Sequence, residues 1–315
     1  MFNNLHELIA TMPDEKSCRE YYEQQRWNGK PVCPYCGFER SYKLKSGKHY
    51  KCASKTCYKV YTVTVGTIFE DSNIPLNKWF MALYLCTAHK KGISSIQLAK
   101  DIGVTQKTSW FMLHRLRQGM KERGAVVFKG IVESDETYMA RKYRSDYKGL
   151  SPEEVEYIQK NKKTTKRKGA VIGLAERETG KVKIVSFDEN NLANITNTVR
   201  ENVDKRATLH TDESNLYNAL GYEMRRESVV HSKKEWVKTD YYGTKIHTNT
   251  VENFWSVMKR GVYGIYHQIS YKHLQRYCDE FSYRYNNRKM NDAERFTITL
   301  RNTNSRLTYK ELVNK

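Results

Sequence analysis

Three acids, Asp135, Asp212 and Glu252, sit where metal-dependent chemistry can be done. Asp135 and Asp212 end the apolar runs Gly130-Ile-Val-Glu-Ser-Asp135 and Ala207-Thr-Leu-His-Thr-Asp212, which read as strands leaving a core. Glu252 opens an apolar helical stretch, Val251-Glu-Asn-Phe-Trp-Ser-Val-Met-Lys259. Grouped carboxylates can hold hard divalent cations, and two such ions can activate an attacking oxygen and stabilise a departing one at phosphorus. Lys259 returns to the face of Glu252 after two helical turns, where a cation can hold a phosphate. Asn249, Asn253 and Arg260 add polar reach, while Phe254, Trp255, Met258 and Val262 can anchor the helix to a sheet. Any one acid alone reads equally well as a solvated strand end or a favourable charge at a helix start. Their joint placement points to phosphodiester chemistry.

A second cluster is built from sulfur. Cys33-Pro-Tyr-Cys36-Gly37 and Cys52-Ala-Ser-Lys-Thr-Cys57 present two thiol pairs, the set a tetrahedral structural zinc ion requires. The second pair is spaced by four residues where zinc ribbons usually have two. A region this small lacks a core, so the metal supplies much of its folding energy. Cys18, Cys86 and Cys278 read as packing residues. Seven cysteines, four of them clustered, favour a reduced compartment and a metal site over a disulfide framework.

Ser94 to Leu116 reads as two helices around a turn. Ile96, Leu98, Ala99 and Ile102 give the first an apolar face, Gly103 permits the turn, and Thr105 can cap the second. Gln106, Lys107, Thr108 and Ser109 then face outward at its start, where a recognition helix meets base edges. A plain helical hairpin joining two domains is the other reading.

Lys and Arg outnumber Asp and Glu by 55 to 35, giving a net charge of +20. The pI of about 9.5 suggests nucleic acid as partner. The most apolar segment, Trp79 to Cys86, is far shorter than the ~20 residues of a membrane span. Glu7, Asp14 and Glu15 stand where a secretory signal needs a basic flank and an apolar stretch. The expected location is the cytoplasm.

The positioning elements follow. Residues 3–27 read as helical with a break at 13–15, Val60 to Val65 as a strand, and 76–89 as an apolar helix. Beyond a break at 122–124, strands are expected near 128–135, 169–176, 181–187, 207–212 and 227–231, with helices near 191–203, 214–220, 249–262 and 271–287. Strands followed by helices imply a mixed α/β sheet. The expected division is an N-terminal helix plus zinc ribbon (1–70), a helix-turn-helix-like domain (71–124), a catalytic domain (125–290) and a C-terminal tail (291–315). A basic insertion, 139–168, interrupts the catalytic domain. Its Lys162, Lys163, Lys166, Arg167 and Lys168 can hold phosphates without reading sequence, and the run reads equally as a solvated loop.

Asp135-Glu-Thr-Tyr138, Thr211-Asp-Glu213 and His247-Thr-Asn-Thr-Val-Glu252-Asn-Phe-Trp-Ser-Val-Met-Lys259-Arg-Gly261 together resemble the IS1595-type insertion-sequence transposases, which carry an ISXO2-like DDE domain. Val65-Gly-Thr-Ile-Phe69, Tyr263-Gly-Ile-Tyr-His267, Lys272 to Tyr277 and Asp279 to Asn286 look like the same family. The resemblance implies an RNase H-like core, two magnesium ions for which manganese can substitute, and strand transfer of an element with terminal inverted repeats. Asp135, Asp212 and Glu252 then match the catalytic acids and magnesium ligands, and Lys259 the basic residue after the third. Some members use Asn as the third ligand. Glu252 is expected here over Asn253, because a carboxylate is the stronger ligand for a hard cation.

The expected chemistry is hydrolysis of a phosphodiester at the element's end, releasing a 3′-hydroxyl that attacks a target phosphodiester. No tyrosine nucleophile is needed. Arg260 joins the DNA contacts, the zinc ribbon and the helix pair are expected to select the element's ends, and synapsis of two ends implies a homodimer or larger assembly. Two alternatives stand beside this: a catalytically silent, transposase-derived regulator, and a metal-dependent nuclease that cuts without joining.

Overall fold

Local capping sets the first helices. Asn4 accepts from the Glu7 amide to start α1 (Leu5–Thr11), and Asp14 with Ser17 forms a reciprocal cap on α2 (Glu15–Trp27). Three short strands follow, β1 (Ser41–Lys43), β2 (Tyr50–Cys52) and β3 (Val60–Tyr61), in one antiparallel sheet. Tyr50 and Tyr61 stack on each other and meet the Trp27 ring edge-on, so one sheet face is buried against the end of α2. The expected strand through Val65 stops at Tyr61, because Arg26 takes the carbonyls of Val63 and Val65.

α3 (Leu76–Ala88) buries Trp79, Phe80 and Leu83. α4 (Ser95–Ile102) ends at Gly103, left-handed at φ 62°, and α5 (Gln106–Met120) starts at Thr105, which accepts from the Thr108 amide. In the computed structural model, residues 2–124, 126–139, 151–154, 156, 169–187 and 192–314 are described. The chain forms two compact units, Met1–Lys121 with Asn287–Lys315, and Glu122–Asn286.

The second unit is a five-stranded mixed sheet between helices. β4 (Ile131–Met139), β5 (Gly169–Glu176) and β6 (Val182–Phe187) run antiparallel; α6 (Leu192–Asn202) leads to β7 (Thr208–Thr211) and, through a 3-10 turn (Asn215–Tyr222), to β8 (Arg225–Ser228). β7 is parallel to β4 and β8 parallel to β7. The order β6-β5-β4-β7-β8 is that of an RNase H-like core. A small hairpin, β9 (Lys238–Thr239) and β10 (Lys245–Ile246), precedes α7 (Asn249–Gly261), a π-helical turn (Val262–Tyr266) and α8 (Leu274–Asn286).

Alternation along β5 divides the core. Ile172 and Leu174 pack with Ile195, Val199, Tyr217 and Leu220, while Val171 and Ala175 pack with Val251, Phe254, Trp255, Met258 and Phe281. The anchoring role expected of Phe254, Trp255, Met258 and Val262 is the packing observed. β8 begins two residues earlier than expected and ends at Ser228, since its partner β7 ends at Thr211.

Residues 291–315, expected as a C-terminal tail, contribute α9 (Asp292–Arg301) and α10 (Tyr309–Asn314) to the first unit, which the chain rejoins at Asn287. Phe296 meets Phe2 and Phe80 edge-on, and Tyr22 shares a hydrogen bond with Thr303. Among the described residues, no helix is long and apolar enough to cross a membrane.

Candidate active site and metal clusters

Asp135 does not end its strand, as the sequence suggested. β4 continues beside β5 to Met139, but its other neighbour stops at Thr211. The β4–β7 ladder pairs Ile131 with Thr208 and Glu133 with His210. Asp135 lies two residues past the Glu133–His210 pair and still within β4, whereas Asp212, equally far past it, lies one residue beyond the end of β7. Asp212 accepts from the Ser214 amide (3.0 Å), turning the chain away from the sheet.

Glu133, two residues before Asp135 and on the same face, locks α7 in place. Its fully buried carboxylate accepts from the amides of Thr250 (2.7 Å) and Val251 (3.2 Å) at the start of the helix. Arg177 donates to Glu133 (2.7 Å) and, with its other nitrogens, to the carbonyls of Lys245 and His247. One turn on, the Trp255 indole donates to Asp135 (2.9 Å). Gly173 makes this approach possible, because a Cβ there would lie 2.6 Å from the Trp255 ring. Sequence reading missed Glu133. The available signal was an acid inside an apolar strand, in phase with Asp135.

Asp135, Glu136 and Glu252 line one cleft of about 790 Å³, together with Lys259, Arg260 and Tyr263. Burial, then the charges of Glu136, Asp212 and Glu252, push Asp135 up to about 7. Burial also raises Glu136, although Tyr217 donates to it (2.6 Å). Glu252 accepts from Thr248 (2.7 Å) and lies 3.7 Å from the His231 imidazole. Asn253, one position round the helix, is exposed and not part of the cleft lining. Mutual repulsion of this kind suits divalent cations, so the donor set fits magnesium. The acids nevertheless lie wider than one coordination sphere. Among the described residues, only the four cysteines bring three or more such donor atoms within 4.8 Å of one another.

Those sulfurs fit zinc closely. Cys33 and Cys57 lie 3.9 Å apart and Cys36 and Cys52 3.6 Å, against edges of about 3.8 Å for a tetrahedron with 2.3 Å zinc–sulfur bonds. Gly37 takes φ 74° after the first pair. The wide second spacing is absorbed by a turn in which the Cys57 amide donates to Ser54 (3.2 Å). Cys18, Cys86 and Cys278 are buried, as packing residues should be.

In α5, Gln106 and Lys107 are exposed and Thr108 is half-buried. Ser109, expected outward, is buried and donates to the Ser95 carbonyl, while Ile96, expected in the core, is 60% exposed. Here the second helix leans on the first through Ser109 rather than through Ile96. Lys162, Lys163, Lys166, Arg167 and Lys168 lie outside the described residues.

The mixed sheet with its clustered acids, and the four-cysteine ribbon of the other unit, match the two parts of one class, a DDE transposase domain and a transposase zinc ribbon. Residues 127–286 match the ISXO2-like transposase domain, and residues 13–60 the transposase zinc-ribbon domain. The chain belongs to the IS1595 family of transposases. It is 27% identical over 265 residues to an uncharacterised protein in transposable element ISH50 of Halobacterium salinarum, covering 80% of this chain and 84% of that one. Similar solved structures include a chain of the simian T-cell lymphotropic virus intasome in complex with PP2A regulatory subunit B56 gamma. That match has 13% identity and a TM-score of 0.26, and spans 54% of this chain and 56% of that one, little more than half its length. The HTLV-2 integrase catalytic core domain in complex with magnesium matches at 10% identity and a TM-score of 0.21, over 45% and 86%.

Proposed function

We propose that this protein catalyses metal-dependent cleavage and strand transfer of DNA at the terminal inverted repeats of an insertion sequence. The observation that carries the reading is the single cleft lined by Asp135 and Glu136 from β4 and by Glu252, Lys259 and Arg260 from α7. Asp135, Asp212 and Glu252 are the residues that would hold two magnesium ions, which would polarise the scissile phosphate and lower the cost of the attacking and departing oxyanions. Lys259 neutralises the phosphate beside the cleft, and Arg260 holds the neighbouring backbone. Trp255 keeps Asp135 oriented, and Glu133 keeps α7 at its distance from β4. The four cysteines hold one structural zinc. Gln106, Lys107 and Thr108 contact the element's ends, and two or more copies assemble on DNA.

The test supplies pre-cut ends and a supercoiled target with magnesium. Joined products are expected, and they should disappear with Asp135→Asn. Cleavage without joining would reduce the protein to a nuclease, and mobility retardation alone to a regulator; either result ends the strand-transfer reading.

A further inference from the structure

The zinc ribbon has an outer face that nothing in the first unit covers among the described residues. Register places Tyr42 opposite Lys51 and Lys51 opposite Val60, one row across three strands. Tyr42 is 55% exposed and Val60 48%, and Lys51 is exposed between them. The other face holds Tyr50 and Tyr61, packed against Trp27.

The two faces treat their cations differently. Lys43, on the packed side, lies over the Tyr50 ring (5.4 Å) and is in addition paired with Glu23 at 3.2 Å. On the outer side, Lys51 lies over the Tyr58 ring (5.8 Å) and Arg40 over Tyr42 (5.9 Å). Lys59, adjoining Val60, lies over Tyr35 (4.6 Å). An aromatic ring orients a cation without cancelling its charge, whereas a carboxylate neutralises it. From Cys33 to Tyr61 there are seven Lys or Arg residues and a single acid, Glu39. Oriented, uncancelled cations alternating with flat rings complement a phosphate backbone and the sugar and base surfaces beside it.

We infer that the Tyr42–Lys51–Val60 face of the ribbon is a DNA-binding surface, with Lys51 and Arg40 on phosphates and Tyr42 against sugar or base. This rests on the reading that the protein binds DNA, and the experiment separates the two. Full-length protein is titrated, without magnesium, into a fluorescent mixed-sequence duplex of about 30 base pairs over a range of salt concentrations, so that catalysis plays no part. Lys51→Ala should weaken binding about fivefold and lower the salt slope by about one, whereas Lys51→Arg should restore both. Tyr42→Ala should weaken binding about fivefold with the slope unchanged. Zinc content checks that each variant keeps its ribbon. Lys43→Ala, on the packed side, should bind within about twofold of the parent.

Parent-like binding by zinc-loaded Lys51→Ala and Tyr42→Ala would overturn the inference while leaving DNA binding intact. Equal losses for Lys43→Ala and Lys51→Ala would also overturn it, in favour of undirected charge. A parent that binds no duplex would remove the underlying reading as well. A variant that keeps DNA affinity but changes its elution volume would assign the face to a second copy of this chain and overturn the DNA assignment.

Discussion

Asp135 and Asp212 each lie two residues past the last ladder pair of two parallel strands, Glu133 with His210, Asp135 still within β4 and Asp212 just beyond the end of β7. Side chains two residues apart along a strand share a face, so the buried anchor Glu133 and the cleft-lining Asp135 point the same way. One strand therefore both fixes helix α7 and presents an acid to it.

Asp135→Asn, Asp212→Asn and Glu252→Gln should each take strand cleavage below detection while DNA affinity stays near the parent's. Cleavage of a labelled end substrate and mobility shift measure the two properties separately. Full activity in any one variant would remove that residue from the site.

Crowding of acids should also be visible in stability. Asp135 is pushed up to about 7 from an ordinary value of 3.8, so between those limits the native state keeps a proton that the unfolded chain releases. The contribution of this group to stability therefore falls as pH rises through that window. Urea unfolding should show Asp135→Asn more stable than the parent at about pH 8, with the gain gone near pH 4. Added magnesium should stabilise the parent more than the variant at the higher pH. An equal gain at both pH values would contradict the electrostatic account.

Glu133→Gln should lower stability by about 2 kcal/mol, because a buried charge-assisted network loses its acceptor and Arg177 is left without its counter-charge. Cleavage should fall with it as the start of α7 loosens. Gly173→Ala drives a methyl group into the Trp255 ring and should cost about 1–3 kcal/mol. Chemical denaturation measures both, and unchanged stability in either would show that α7 is held otherwise.

Cys33→Ser or Cys52→Ser should lose one zinc equivalent by metal analysis and lower the thermal stability of the ribbon, whose inner face packs Tyr50 and Tyr61 on Trp27. Unchanged zinc content would reject the four-sulfur site.

Much was legible along the chain because it depends on neighbours in sequence. The helix at 249–261 carries its apolar face at helical spacing, and residues 169–176 form the long apolar run of a strand buried on both sides. Cys33 and Cys36 share one turn, and Ser94, Gly103 and Thr105 cap and break helices through local hydrogen bonds and backbone freedom. The misreadings have a common origin. Val63 and Val65 look like strand residues until Arg26, distant in sequence, takes their carbonyls, and Ser109 looks outward until the Ser95 carbonyl claims it.

By itself, the order of residues determined which side chains were available: three spaced acids with a lysine two turns beyond the last, four thiols, and an excess of positive charge. Tertiary structure alone decided that β7 would end beside Asp135, that Glu133 would clamp the start of α7, and that Trp255 would reach across Gly173. These outcomes join residues roughly 75 to 120 positions apart, and such contacts form only once a sheet register is chosen, which no local propensity encodes.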